Sequence, residues 1–391
     1  MAEVSQLKHP LLNDRPLRVC YFGTYRAEYS RNRIMIEGLR RAGVEVIECQ
    51  EQLWKSIEDR VQTASGGWRQ PKFWWRLLRA YLRLIKRHSQ IGEYDVLVVG
   101  YPGQMDVFLA RFLSRRRGKA LVWDIFMSIY LIALERGLDK RSRFSVNTLR
   151  RLEQRALALP DLLIQDTEDY VDWFHINYGI TQERFRLVPT GADERVYQPS
   201  PPRLKQDGSL LVIYYGTFIP NHSVDTMLEA AGLLSREGAI RFEFIGDGPE
   251  RDRIQARAER LRLGNVTFIP WMENKDLAER AAQADILLGA FGNTPQSQMT
   301  VQNKIYEGLA MGKAVITGDS PAIRRAMAHG EHIYLCERKN PAALAEAILA
   351  LRDSPHLREQ LERGGQCLFK EKYSIKQIGL LAAAHLLEVA R

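Results

Sequence analysis

Several familiar signatures are missing from this 391-residue chain. No run of about 18 apolar residues occurs, so no membrane-spanning helix is expected. The N-terminal stretch MAEVSQLKHPLLNDRP has no apolar core of the kind a secretory leader needs. Cysteine is scarce: Cys20, Cys49, Cys336 and Cys367 are far apart and show no metal-ligand spacing. Reduced thiols in a cytosolic protein are the simplest account. The phosphate fingerprints G-x-G-x-x-G and G-x-x-x-x-G-K-[ST] are absent, which disfavours an ordinary dinucleotide or P-loop site. H-E-x-x-H, G-x-S-x-G and paired C-x-x-C are absent too. Acids are missing between Arg60 and Glu93. There is no short-period repeat and no low-complexity tract.

What is present suits a globular protein of two domains, or one large one. Hydrophobic residues make up 45% and charged residues 26%. The formal net charge is +9, nearly all of it in residues 1–195. The first half is expected to face something anionic: a membrane, a nucleic acid or a charged substrate.

Short β-branched runs alternate with longer amphipathic segments. LRVCYFG (17–23), VEVIEC (44–49), DVLVVG (95–100), ALVWDI (120–125), DLLIQD (161–166) and RFRLVP (184–189) read as strands. Ser30 to Ala42 reads as a helix closed by Gly43. TGADERVYQPSPPRLKQDG (190–208) carries three prolines and no apolar period, and reads as a linker. The alternation restarts with LLVIYYGT (210–217), IRFEFIGDG (240–248), NVTFIP (265–270), DILLGA (285–290), KAVITG (313–318) and HIYLCE (332–337). From about Pro341 the pattern is helical. Two α/β halves with parallel sheets are expected, with a cleft between them. Ligands of such sheets bind outside the carboxyl ends of the strands.

Five stretches are candidate sites. YFGTYRAEYSRN (21–32) places Gly23 and Thr24 directly after the first strand, where a backbone approaches a ligand closely. YYGTFIPNHSVDTMLEAA (214–231) repeats the theme with Gly216 and Thr217; His222 lies just before a helix, a phosphate donor or a solvated loop histidine. The turn Gly246-Asp247-Gly248-Pro249 reads as geometric. In QNKIYEGLAMGKAVITGD (302–319), Thr300 is the expected N-cap, which puts Lys304 in the first helical turn. A cation there opposes the helix dipole. Either Lys304 and Glu307 form an exposed pair worth about 0.3 kcal/mol, or a bound anion completes the arrangement. Last, in WRQPKFWWRLLRAYLRLIKRH (68–88) the cations Lys72, Arg76, Arg79, Arg83, Lys86 and Arg87 share about a third of a turn. Trp74, Leu77, Leu78, Tyr81, Leu84 and Ile85 lie opposite. Trp74, Trp75, Arg76, Arg79 and Arg83 are candidate contacts to anionic lipid or acceptor; the alternative is a domain helix with a basic outer face.

The segments LLVIYYGTFIPNHSVDTMLEAA, FEFIGDGPERDRI, NVTFIPWMENKDLAERAAQADILLGAF and NKIYEGLAMGKAVITGD resemble, in order and spacing, the donor-binding domain of glycosyltransferase family 4. RLVPTGADERVYQP (186–199) looks like that family's entry into its linker, and EKYSIKQIGLLAAAHLLEVA (371–390) like its last helix. The likeness is strong over 184–375 and poor over 50–160.

The resemblance implies the α/β GT-B fold: two Rossmann-like domains facing each other across a cleft. Residues 1–195 would bind the acceptor and 205–373 the donor, with a final helix, 374–391, crossing back to the first domain. It implies retaining transfer from a nucleotide-diphosphate sugar, with no cofactor and no obligatory metal. Glu307 matches the second glutamate of the E-x7-E motif, which holds the ribose. Gly23, with Thr24, and Gly216, with Thr217, match the loops near the donor phosphates. The base would lie near Pro270 to Met272, with Trp271 and Met272 as candidate donor contacts, and Thr300 and Asn303 are further candidate donor-binding residues.

Four positions depart from the family pattern. The first glutamate of the motif is Met299, the arginine after the second glycine is Thr217, and the lysine five residues on is His222. In the first domain the expected histidine is Trp123, although Asp124 remains to orient sugar or acceptor. Lys304 and His222 would then carry more of the diphosphate's charge. The acceptor is expected to be a lipid or lipid-linked glycan, with the protein cytoplasmic and peripheral on the inner membrane face. Alternatives are a soluble acceptor, an inactive sugar-nucleotide-binding module, and a nucleic-acid-binding protein. The last lacks a recognised motif, and no nucleic-acid partner is expected.

Overall fold

The computed structural model describes residues 11–12, 14–53, 70–199 and 209–390. Residues 200–208 of the expected linker, the start of the basic stretch at 68–69 and residues 1–10 lie outside them. The chain forms two compact units, one ending at Thr190 and completed by the segment from Ile375, the other running from Gly191 to Ser374.

The first unit is built on six parallel strands: β1 (Arg18–Gly23), β2 (Glu45–Gln50), β3 (Val96–Val99), β4 (Ala120–Asp124), β5 (Leu162–Gln165) and β6 (Phe185–Leu187). Their order is β2-β1-β3-β4-β5-β6. Val19 lies opposite Val46 on one side and Val96 on the other. Helices cover both faces, so β3, β4 and β5 are buried at every position. The connection from β1 to β2, helix Ser30–Arg41, runs one way along the sheet. Those from β2 to β3, helix Pro71–Gln90, and from β3 to β4, helix Asp106–Arg116, run the other way. Right-handed crossovers therefore put the last two together on the opposite face.

Helix Ile375–Leu387 packs on helix Ser30–Arg41, and two glycines set the closeness. A Cβ on Gly379 would fall 1.8 Å from the Gly38 carbonyl oxygen, and one on Gly38 would fall 2.8 Å from that of Ile375. Only hydrogen side chains admit this backbone contact, which ties the end of the chain to the first unit.

The second unit repeats the plan with β7 (Leu210–Tyr215), β8 (Ile240–Ile245), β9 (Val266–Ile269), β10 (Ile286–Leu288), β11 (Ala314–Gly318) and β12 (Tyr334–Cys336). The order is β9-β8-β7-β10-β11-β12, all parallel. The direction of winding reverses between β7 and β10, the place where such sheets leave room for a ligand. Every strand expected from the sequence is present. Residues 190–199 are not a loose linker: Ala192 and Tyr197 are buried in the second unit's core.

Candidate functional site

The loop after β7 turns on Gly216, whose φ of +136° is unfavourable for any side chain. Lys304 uses the space so created: a Cβ on Gly216 would stand 3.0 Å from its Nζ. Lys304 is buried, with Nζ 4.3 Å from the centre of the Tyr214 ring and 3.4 Å from His222 Nδ1. Among the described residues it forms no ion pair. Burial pushes its pKa down to about 7, with Glu307 pulling weakly the other way. The exposed-pair reading of Lys304 and Glu307 therefore fails, because both side chains are buried.

His222 Nδ1 lies 2.7 Å from the Thr217 carbonyl oxygen and 2.9 Å from the Tyr214 hydroxyl. A carbonyl only accepts, so the neutral ring keeps its proton on Nδ1. Burial first, and then Lys304, hold the imidazole pKa well below its ordinary value. In this state the ring's one N–H is spent on Thr217, and Nε2 reaches a phosphate as a donor only once the ring is charged. Thr217 itself is exposed, and its carbonyl also accepts from the Tyr214 hydroxyl at 2.9 Å.

The helix carrying Lys304 runs over Asn303–Ala310 and ends at Gly312, φ +63°. Its N-cap is Gln302, with no side-chain cap and no acid in the first turn. The expected cap, Thr300, instead closes the short helix Pro295–Met299, and its hydroxyl donates to the Gln296 carbonyl at 2.9 Å. The extended backbone at Thr300 separates two helices where one start was read. Asn303 opens the second helix, half-buried. One turn in, Glu307 accepts a 2.9 Å hydrogen bond from the Tyr215 hydroxyl. Two adjacent tyrosines thus brace the site, Tyr214 beneath the cation and Tyr215 against the carboxylate. Neither is singled out by sequence; their place immediately before Gly216 was the available signal. After β9, Trp271 is exposed and Met272 packs on the core. Gly246 acts geometrically: a Cβ there would fall 2.1 Å from the Gly216 carbonyl oxygen.

The first unit has the matching loop with the opposite charge. Gly23 has φ +137°, and a Cβ on it would stand 2.8 Å from Asp106 Oδ2. That carboxylate accepts from the Thr24 backbone N–H at 2.7 Å and from its hydroxyl at 2.9 Å. Here the protein's own anion fills the place that β7's loop gives to a cation. Asp106 was not legible, since it lies 82 residues from Thr24.

Asp124 is fully buried, and Arg31 grips it through Nε at 2.9 Å and Nη2 at 2.8 Å. Arg31 Nη1 also donates to the carbonyls of Val188 and Pro189. The structure thus gives Asp124 a pairing role that the sequence did not suggest. Trp123 is a core residue whose indole donates to the Pro102 carbonyl at 3.3 Å.

Helix Pro71–Gln90 has three faces instead of two. Phe73, Leu77, Ala80, Leu84 and His88 are buried. Trp74, Trp75, Leu78, Leu82 and Ile85 form an exposed stripe, Trp75 being 56% exposed. The cations follow on the third face. Arg79 lies 5.0 Å over the Trp75 ring, Arg83 and Arg87 pair with Glu51, and Arg76 donates to the Leu53 carbonyl at 2.5 Å. Of the six apolar positions read together from the sequence, Trp74, Leu78 and Ile85 point outward, while Leu77 and Leu84 pack inward. No helix among the described residues is long and apolar enough to cross a membrane.

Residues 209–354 match the family model described as glycosyl transferases group 1. The lipopolysaccharide core biosynthesis glycosyltransferase LpsD of Rhizobium meliloti is 26% identical over 190 residues, 46% of this chain and 52% of that one. The chain spans about half the length of the first curated relatives it matches. Among solved structures, HepE of Anabaena with UDP covers 95% of this chain and 99% of its own, with a TM-score of 0.67 and 16% identity. Sucrose-phosphate synthase of Thermosynechococcus elongatus covers 95% and 98%, with a TM-score of 0.70 and 14% identity. The fold they share with this chain is GT-B, with two Rossmann-like units.

Proposed function

We propose that this chain, a GT-B protein whose second unit matches the group 1 glycosyl transferases, is a retaining glycosyltransferase of family 4. It moves a sugar from a nucleotide-diphosphate sugar onto a lipid or lipid-linked saccharide at the cytoplasmic membrane face. The observation that carries the reading is Lys304: a buried ammonium with no ion-pair partner among the described residues, in a first helical turn that holds no acid, beneath a glycine loop. A diphosphate there meets the lysine, the helix N–H groups and the dipole together. As the sugar leaves, negative charge grows on the terminal phosphate, and each fixed donor aimed at it is worth about 3 kcal/mol. Lysine and helix supply the countercharge that a metal would otherwise bring. Glu307, steadied by Tyr215, accepts from the ribose diol, and the base lies by Trp271 and Met272.

The relatives support this reading. HepE was solved with UDP and with UDP-glucose, and LpsD is named for lipopolysaccharide core biosynthesis. The exposed stripe of helix Pro71–Gln90, flanked by cations, suits an anionic lipid surface: rings and aliphatic chains enter the interface while the cations meet headgroups.

A thermal-shift screen of UDP-, GDP-, ADP- and TDP-sugars, followed by turnover with the stabilising donor, tests it. Stabilisation and product are expected; indifference to all four donors would overturn it. The departures at Thr217, His222 and Met299 favour one rival, an inactive sugar-nucleotide-binding module, which would show stabilisation without turnover.

A further inference from the structure

A cavity of about 720 Å³ opens over the carboxyl ends of β10, β11 and β12, beyond the β7 loop that packs on Lys304. That volume is in the range of small-molecule sites. Arg338 lines it and is 8% exposed. Its Nε donates to the Asp319 carbonyl and its Nη1 to the Gly292 carbonyl, both at 2.6 Å, while Nη2 makes no hydrogen bond. The two carbonyls fix the guanidinium plane, and Nη2 is left enclosed without a partner. Gly318 makes the space, since a Cβ there would fall 2.6 Å from Arg338 Cγ.

The acids around the cavity are engaged elsewhere. Asp319 accepts both prongs of Arg324, and Glu337 accepts from Asn340 Nδ2 at 2.7 Å. Among the described residues Arg338 pairs with no carboxylate. His329 supplies a second donor. Its Nδ1 accepts from the Leu335 backbone N–H at 2.9 Å, so the neutral ring carries its proton on Nε2. Burial pushes the Arg338 pKa down to about 10, the mark of a cation short of solvation.

We propose that this cavity is a second anion site, distinct from the one at Lys304, which takes the carboxylate or phosphate group of a sugar-sized molecule, held by the charge of Arg338 and by His329 Nε2. A guanidinium and a ring N–H lining one cavity suit either oxyanion. The loop it holds also reaches the first site: the Gly292 N–H donates to the Asn221 carbonyl at 3.2 Å, and that of Phe291 to the His222 carbonyl at 3.0 Å.

Calorimetric titration of the full chain carrying Lys304→Ala, with inorganic phosphate and separately with glucuronate, tests this. At least one anion should bind, about fivefold or more weaker once His329→Ala or Arg338→Lys is added. The tighter of the two tells phosphate from carboxylate recognition. Absence of binding by both anions, or affinities indifferent to both substitutions, overturns the proposal. His329 is exposed, so its replacement remains informative should Arg338→Lys loosen the loops. Nucleotide-sugar binding is read in the chain with Lys304 intact, so the two ideas fail separately.

Discussion

Lys304 Nζ stands against the bare α-carbon of Gly216, 3.0 Å from where a Cβ would be. Gly216→Ala adds strain at φ +136° and pushes the ammonium aside. We expect nucleotide-sugar affinity, measured by calorimetry, to fall about tenfold or more.

Lys304→Met keeps the length and removes the charge. If the ammonium serves the leaving phosphate, kcat/KM should fall on the order of 100-fold. The unfolding midpoint of the free protein should hold or rise, because an uncompensated buried charge is lost. A drop in stability with activity retained would assign Lys304 to the fold.

The same lysine gives binding a pH dependence. Its pKa in the free protein is about 7, and a bound diphosphate raises it. Below 7 the ammonium is already formed and affinity is full. Above 7 binding must take up a proton, so affinity declines toward tenfold per pH unit until the pKa of the complex is reached. Titrations with a nucleotide sugar from pH 6 to 9 should show this slope, and Lys304→Met should flatten it.

Trp74 and Trp75 are about half exposed, so replacing both by serine should lower thermal stability only slightly. Flotation with vesicles containing anionic lipid should drop about tenfold, from lost apolar burial. Binding of the unaltered protein should weaken as salt rises. Equal flotation of both proteins would remove the helix from the membrane reading.

Asp124→Ala strands the Arg31 guanidinium in the core. Removing one partner of a buried pair costs about 3–5 kcal/mol, so the urea midpoint should fall steeply. A variant with unchanged stability and impaired turnover would restore Asp124 to a direct part in the reaction.

The sequence by itself determined the twelve sheet strands, the helices between them, the stops at Gly43 and Gly312 and the two glycine loops. Each of these follows from local spacing: apolar period, β-branching, and φ values that glycine alone adopts easily. Tertiary structure alone decided which charges are buried and what surrounds them. Lys304 meets His222 across 82 residues, Arg31 meets Asp124 across 93, and Asp106 fills the loop of Thr24 across 82. No periodicity carries such pairings. The outward stripe of helix Pro71–Gln90 shows the same limit, for a wheel separates apolar from charged positions but does not say which apolar side finds a sheet to cover. Burial is a property of neighbours brought together by folding, and it is burial that turns an awkward lysine into a poised one.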